Sequence, residues 1–156
     1  NRLDECNYSE GEIMAAIDRL QNNGLLNDEK FARDFIESRL NTKPVSRGKL
    51  RRQLREHFVE NAVIDEALSA VSDETELSNA AAVGSKYFRQ YSNLPLKERL
   101  RRTGSRLVSC RYAFDDVKTV LSELAENSEE TGNSDEIPDE IEFSLRSAEN
   151  GADDEE

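Results

Sequence analysis

Arginine and lysine are the residues here whose number and spacing could do chemistry, and that chemistry is anion recognition. Arg47, Arg51 and Arg55 recur at i, i+4 and i+8, one ridge on a helix, with Lys49 and Arg52 lying off it. From Arg39 to Arg55 there are seven positive side chains, adding Lys43 to the above, and no carboxylate. A second run, Lys97, Arg99, Arg101, Arg102, Arg106 and Arg111, faces only Glu98 in sequence. One such run alone would read as a solvated face whose arginine stems cover a small core. Its recurrence without local compensation favours a polyanionic or acidic partner. Arg39, Arg47, Lys49, Arg51, Arg52, Arg55, Arg99, Arg101, Arg102 and Arg106 are therefore the candidate contacts to a partner protein or a DNA backbone.

No catalytic constellation accompanies them. His57 is the single histidine and has no neighbour at the spacing of a nucleophile partner, which suits a surface residue at a helix end. Glycines occur singly, so no phosphate-cradling loop is expected. Cys6 and Cys110 stand far apart without a CxxC spacing, which indicates neither a metal site nor a disulfide framework. They read as reduced, buried thiols of a cytoplasmic protein. The expectation is a chain that is not an enzyme and uses no cofactor or metal.

The elements that must carry the arginines are helices. Between Asn27 and Val71 three follow one another: Asn27 or Asp28 starts the first, with Phe31, Phe35 and Ile36 at helical spacing. Pro44 ends that segment, and Ser46 caps a second helix whose apolar content is Leu50 and Leu54. The third, Glu60 to Val71, turns Ile64, Ala67, Leu68 and Val71 inward. None has enough apolar surface to stand alone, so the three must pack on one another.

The unit repeats. Setting Leu107 under Leu54 brings Cys110 under His57, Tyr112 under Val59, Val117 under Ile64 and Leu121 under Leu68 without a gap. Setting Leu3 under Leu54 aligns Tyr8, Ile13 and Ile17 in the same way, with Asn7 placed to end a helix and Ser9 to begin the next. The predicted organisation is all-α: a truncated first repeat over 1–26, a second over 27–73, a third over 74–126, and an acidic tail over 127–156. Gly84 weakens the first helix of the third repeat by about 1 kcal/mol, and Pro95 starts the next, basic one.

The net charge of −12 belongs to the tail, where 13 acidic residues from Glu126 to Glu156 face Arg146 alone. Residues 1–125 balance at 20 basic and 20 acidic, strongly segregated. The tail's composition predicts disorder. Ile137, Ile141, Phe143 and Leu145 form an apolar island in it, read as a chance cluster more readily than as a docking motif. Tail carboxylates folding back onto the ridges Arg47/Arg51/Arg55 and Arg99/Arg102/Arg106 would compete with a partner. No apolar run approaches the ~18 residues of a membrane span.

The 27–71 unit resembles the RecX family, small bacterial regulators of the recombinase RecA. The residues that carry the resemblance are Gly24-Leu25-Leu26-Asn27-Asp28, Phe31-Ala32, Arg39-Leu40, Ser46-Arg47, Leu50-Arg51, Leu54 and Ile64-Asp65-Glu66-Ala67-Leu68. His57-Phe58 stands where that family usually has Lys-Gly, so a differently built turn is expected there. The resemblance implies a curved array of three-helix repeats lying in the groove of the RecA filament on single-stranded DNA. It further implies inhibition of filament extension, ATP hydrolysis and strand exchange in DNA repair, recombination and the SOS response, by a monomer without a membrane partner. Gln53 is the sole Asn or Gln on these basic helices, which argues against sequence-specific DNA reading. A non-specific DNA-binding module acting through phosphates of single- or double-stranded DNA without RecA is the alternative, and an adaptor for an unrelated acidic protein is a third.

Overall fold

The computed structural model describes residues 9–22, 27–128 and 139–151; expectations for Cys6, the Asn7 turn, Gly24-Leu25-Leu26 and Ile137 lie outside them. Among the described residues the chain forms eight helices and no strand. They are α1 (Glu10–Asn22), α2 (Asp28–Thr42), α3 (Arg47–Glu56), α4 (Asn61–Ser69), α5 (Asp73–Gln90), α6 (Leu96–Ser109), α7 (Phe114–Glu126) and α8 (Asp139–Gly151). None of the described helices is long and apolar enough to cross a membrane.

Side chains placed just before α1, α2, α3 and α5 explain where those four helices begin. Ser9 Oγ accepts the Glu12 N–H at 3.3 Å while the Glu12 carboxylate accepts the Ser9 N–H at 3.0 Å, a reciprocal capping box. Asn27 accepts the Lys30 N–H at 2.9 Å, Ser46 that of Lys49 at 3.1 Å, and Ser72 that of Thr75 at 3.1 Å. Lys43, pushed into extended backbone by Pro44, ends α2.

The helices build two cores. In the first, α2, α3 and α4 bury Ala32, Ile36, Leu50, Leu54, Ile64 and Leu68. In the second, α5, α6 and α7 bury Ala80, Leu100, Leu107, Val117, Val120 and Leu121. At about 1.5–3 kcal/mol for each fully buried Leu or Ile, the meagre stripe of α3 contributes only by pairing with both neighbours. Gly84 brings α5 against α7: a β-carbon there would stand 2.6 Å from Val120 Cγ1.

The turns after α3 and α6 are built alike. Val59 N–H donates to the Leu54 carbonyl at 3.1 Å and Phe58 N–H to that of Arg55 at 2.9 Å; Tyr112 to Leu107 and Arg111 to Val108 repeat the pair at 3.3 and 2.8 Å. Both are Schellman motifs, with left-handed residues Phe58 (φ 60°) and Arg111 (φ 63°) and an apolar contact pair, Leu54/Val59 or Leu107/Tyr112, fully inside. The expectation of a different turn at His57-Phe58 is thus corrected. Burial of Val59 holds the turn closed, and Phe58 accepts the αL strain while its side chain stays 94% exposed.

The tail differs from expectation over Asp139–Gly151. Instead of disorder, α8 packs on α6 and α7, with Ile141 and Leu145 buried in the second core. Composition averages over the carboxylates, whereas Ile141 and Leu145 stand four apart and make one apolar stripe. That stripe meets a slot at Gly104, where an added β-carbon would lie 2.8 and 2.9 Å from the Leu145 methyls. Lys118–Glu142 at 3.3 Å and Arg146 over the Phe114 ring at 5.3 Å flank the contact, so the described part of the tail does not rest on the arginine ridges.

A polar joint connects the two cores. Ser46 Oγ donates to the Cys110 carbonyl, and Arg47 N–H donates to both Glu76 carboxylate oxygens at 3.0 Å. The Arg47 guanidinium donates to the Val71 carbonyl at 2.6 Å and to Asp73 at 2.7 Å, and Asn79 Nδ2 to the Val45 carbonyl at 3.4 Å. Glu76 is 5% exposed. Burial pushes its carboxyl above the ordinary range, with Arg47 pulling the other way.

Candidate functional site

The ridge read as Arg47, Arg51 and Arg55 does not stand open. Arg47 is drawn into the joint just described, Arg51 pairs with Asp65 of α4 at 2.6 Å, and Arg55 Nε donates to Asn61 at 2.9 Å. Arg52 pairs with Glu56 at 3.0 Å along its own helix. Arg39 lies with its guanidinium 4.9 Å from the Phe35 ring centre. Lys49 is exposed and pairs with no carboxylate among the described residues. Acids of α5 and α4 thus reach Arg47 and Arg51 in space, where the sequence between Arg39 and Arg55 offers none.

The second cluster is organised around fewer acids. Glu98 accepts from Arg101 at 2.8 Å and from Arg102 at 2.7 Å, and these two hydrogen bonds hold its carboxyl down to about 2. Arg99 lies across the Phe88 ring at 3.9 Å, with Phe88 itself buried. Arg106 Nε donates to the Tyr91 hydroxyl at 3.3 Å and its guanidinium stands 5.8 Å from the Tyr87 ring centre. From Leu77 to Tyr112 the chain carries eight basic residues against Glu98 alone. The two stretches thus carry the same formal surplus, but Arg47 and Arg51 of the first are paired with acids of α5 and α4, whereas in the second Glu98 is shared by Arg101 and Arg102. Exposed ion pairs of this sort contribute only about 0–1 kcal/mol to stability, so their arginines are available to a stronger acceptor.

Two aromatic groupings escaped the sequence reading. Tyr87 and Tyr91 stack with ring centres 6.4 Å apart and planes within 19°. Their signal was the i, i+4 spacing in a stretch, Leu77 to Lys97, that holds no acid. Phe31, Phe35 and His57 gather at the end of α3, with His57 edge-on to both rings at 5.5 and 5.4 Å. Only the fold reveals that group, because α3 ends beside the middle of α2. Among the described residues no cluster of His, Cys, Asp and Glu could hold a metal ion, and Cys110 is a half-buried free thiol. The surface can therefore hold anions, and through Tyr87 and Tyr91 it also offers flat apolar faces.

Comparison with known proteins agrees with this architecture. Residues 27–68, the α2–α4 unit, match the family model described as RecX, second three-helix domain. The regulatory protein RecX of Streptomyces coelicolor is 33% identical over 120 residues, 74% of this chain and 64% of that protein. The chain thus spans somewhat less than two thirds of that relative's length. The regulatory protein RecX of Prosthecochloris aestuarii is 29% identical over 126 residues, 81% of each chain. In three dimensions the crystal structure of RecX from Lactobacillus salivarius superposes with a TM-score of 0.73 at 19% identity, covering 79% of this chain and 80% of that one. With the repeat pattern, the helical unit and these relatives in agreement, the chain belongs to the RecX family of regulatory proteins.

Proposed function

We propose that this chain binds the RecA filament assembled on single-stranded DNA, lies in its groove, and inhibits filament extension, ATP hydrolysis and strand exchange. Family membership supports the choice of partner. The observation that carries the reading onto this chain is the run of eight basic residues against Glu98 between Leu77 and Tyr112, seven on the packed helices α5 and α6 and Arg111 in the turn that follows. Arg101, Arg102 and Arg106, with Lys49 and Arg52 on the neighbouring unit, face acidic RecA surfaces or DNA phosphates, while Arg47 holds the units together. In this reading the chain works in the cytoplasm as a monomer, has no catalytic activity or cofactor of its own, and uses the units 27–73 and 74–126 as two adjoining contact modules.

The test is steady-state ATP hydrolysis by RecA on single-stranded DNA while this protein is titrated from far below to equal stoichiometry. Inhibition at substoichiometric ratios supports action on the filament. Inhibition only at amounts comparable to the DNA sites would replace it with a non-specific DNA-binding module acting without RecA.

A further inference from the structure

Most aromatic rings near the described basic residues are unsuited to receiving a flat ligand. Phe88 is buried beneath Arg99. Phe31, Phe35 and His57 turn edges toward one another, at 74° and 66° for the two contacts of His57, and so share no common face. Tyr87 and Tyr91 differ. Tyr87, in the last turn of α5, and Tyr91, which caps its end, stand four residues apart, are partly exposed, and lie within 19° of parallel. Arg106 fixes them by donating to the Tyr91 hydroxyl at 3.3 Å while lying 5.8 Å from the centre of Tyr87. Lys86 stands 5.8 Å from the Tyr87 ring centre and Arg102 6.0 Å from that of Tyr91.

We propose that Tyr87 and Tyr91, ringed by Lys86, Arg102 and Arg106, form a stacking platform that binds single-stranded nucleic acid, the rings taking bases and the cations phosphates. Chemistry selects this ligand. An acidic protein surface would satisfy the three cations and use the stacked rings for nothing beyond the cation contacts they already receive. Duplex DNA presents phosphates but keeps its bases stacked on one another. A single strand offers both at once, and base stacking on aromatic rings is tolerant of sequence. That fits a chain whose basic helices carry few side chains able to read base edges. The inference deepens the reading above by naming a DNA contact, yet it requires no RecA.

The experiment uses the full chain and fluorescein-labelled 25-mers at low salt, one of thymidine and one abasic with the same number of phosphates, followed by anisotropy. The thymidine strand is expected to bind at least about tenfold more tightly than the abasic one. Y87L/Y91L should bring the two to equal affinity, whereas Y87F/Y91F, which keeps the rings and loses the hydroxyls, should preserve the difference. Because the chain contains no tryptophan, its intrinsic emission is tyrosine; thymidine strands should quench it in the unaltered chain. Unfolding curves for each variant separate loss of the platform from loss of the fold.

Equal affinity for the two strands in the unaltered chain, or no binding to either, overturns the proposal. So does full thymidine binding by a folded Y87L/Y91L chain that has lost inhibition of RecA, since the patch would then be a protein contact. RecA inhibition by the unaltered chain is read separately, so failure of the platform and failure of the filament reading are distinguishable.

Discussion

A β-carbon built on Gly48 would stand 2.5 Å from the Arg111 carbonyl oxygen and 2.8 Å from its Cβ, so the start of α3 meets the end of α6 without clearance. The obstacle is main chain, which cannot swing away as a side-chain tip does. Gly48→Ala is expected to destabilise the chain by about 1–3 kcal/mol, despite alanine's better helix propensity. Gly11→Ala in α1, where nothing lies within 4 Å of the added atom, should be neutral or stabilising by up to ~1 kcal/mol. Urea unfolding of the two variants side by side checks the contrast.

Phe58 sits at φ 60° with its side chain in solvent. Phe58→Gly relieves the αL penalty, roughly 1–2 kcal/mol for a residue with a β-carbon, and forfeits almost no packing. The expected outcome is a higher urea midpoint with an unchanged slope. Phe58→Val, β-branched at the same φ, should lower the midpoint.

Glu76 and Glu98 are displaced in opposite directions, and their effects on stability have opposite signs. Burial raises Glu76, so the folded chain holds its proton more tightly than the unfolded chain does. Its contribution is greatest below the ordinary value of 4.5 and is lost as pH rises through the folded value. Asp116, also raised by burial, adds the same sign. Glu76→Gln should flatten the decline in stability above pH about 4.5, measured as melting temperature against pH. Glu98, held down to about 2, stabilises above 4.5 and loses that contribution as the solution is acidified toward 2.

Neutralising Glu98 has a functional consequence as well. It is the shared acceptor of Arg101 and Arg102. Glu98→Gln should free both guanidinium groups and tighten binding to single-stranded DNA and to RecA filaments at low salt. The slope of log affinity against log salt should steepen by about one, and an unchanged slope would show that neither arginine reaches the partner.

Leu145 fills the slot left by Gly104, with Leu121 Cδ1 forming its third wall at 3.0 Å from the built atom. Gly104→Ala is expected to displace α8, raising hydrogen exchange in residues 139–147 while α5–α7 remain protected. Leu145→Ala should do the same by removing the knob. Combining them should cost less than the sum of the single changes, since each partly relieves the other.

Much of this architecture was legible before any coordinates. Asn27, Ser46, Ser9 and Pro44 carry local signals that need no tertiary information, and the register of Leu107 on Leu54 located the repeated turn. What stayed hidden was whatever depends on partners distant in sequence. Arg47 looked free because Asp73 and Glu76 lie outside its run of basic residues, yet they meet it at the joint. α8 was hidden because two apolar side chains carry its docking and their slot is a glycine 41 positions away. The Phe58 turn was misread because propensity at one residue was weighed without the burial of Val59 beside it.

The joint also has a mechanical meaning. Its grips are a hydroxyl on a carbonyl, a backbone N–H on a carboxylate, a guanidinium on a carbonyl and a glycine against main chain. Several of these grips involve main chain, so a twist of one unit against the other must break them together instead of easing through side-chain rotation. Two rigid plates riveted in this way would pass a pull at one end on to the other with little slack. A partner that seizes α5 and α6 thereby also fixes the direction in which α2 and α3 point.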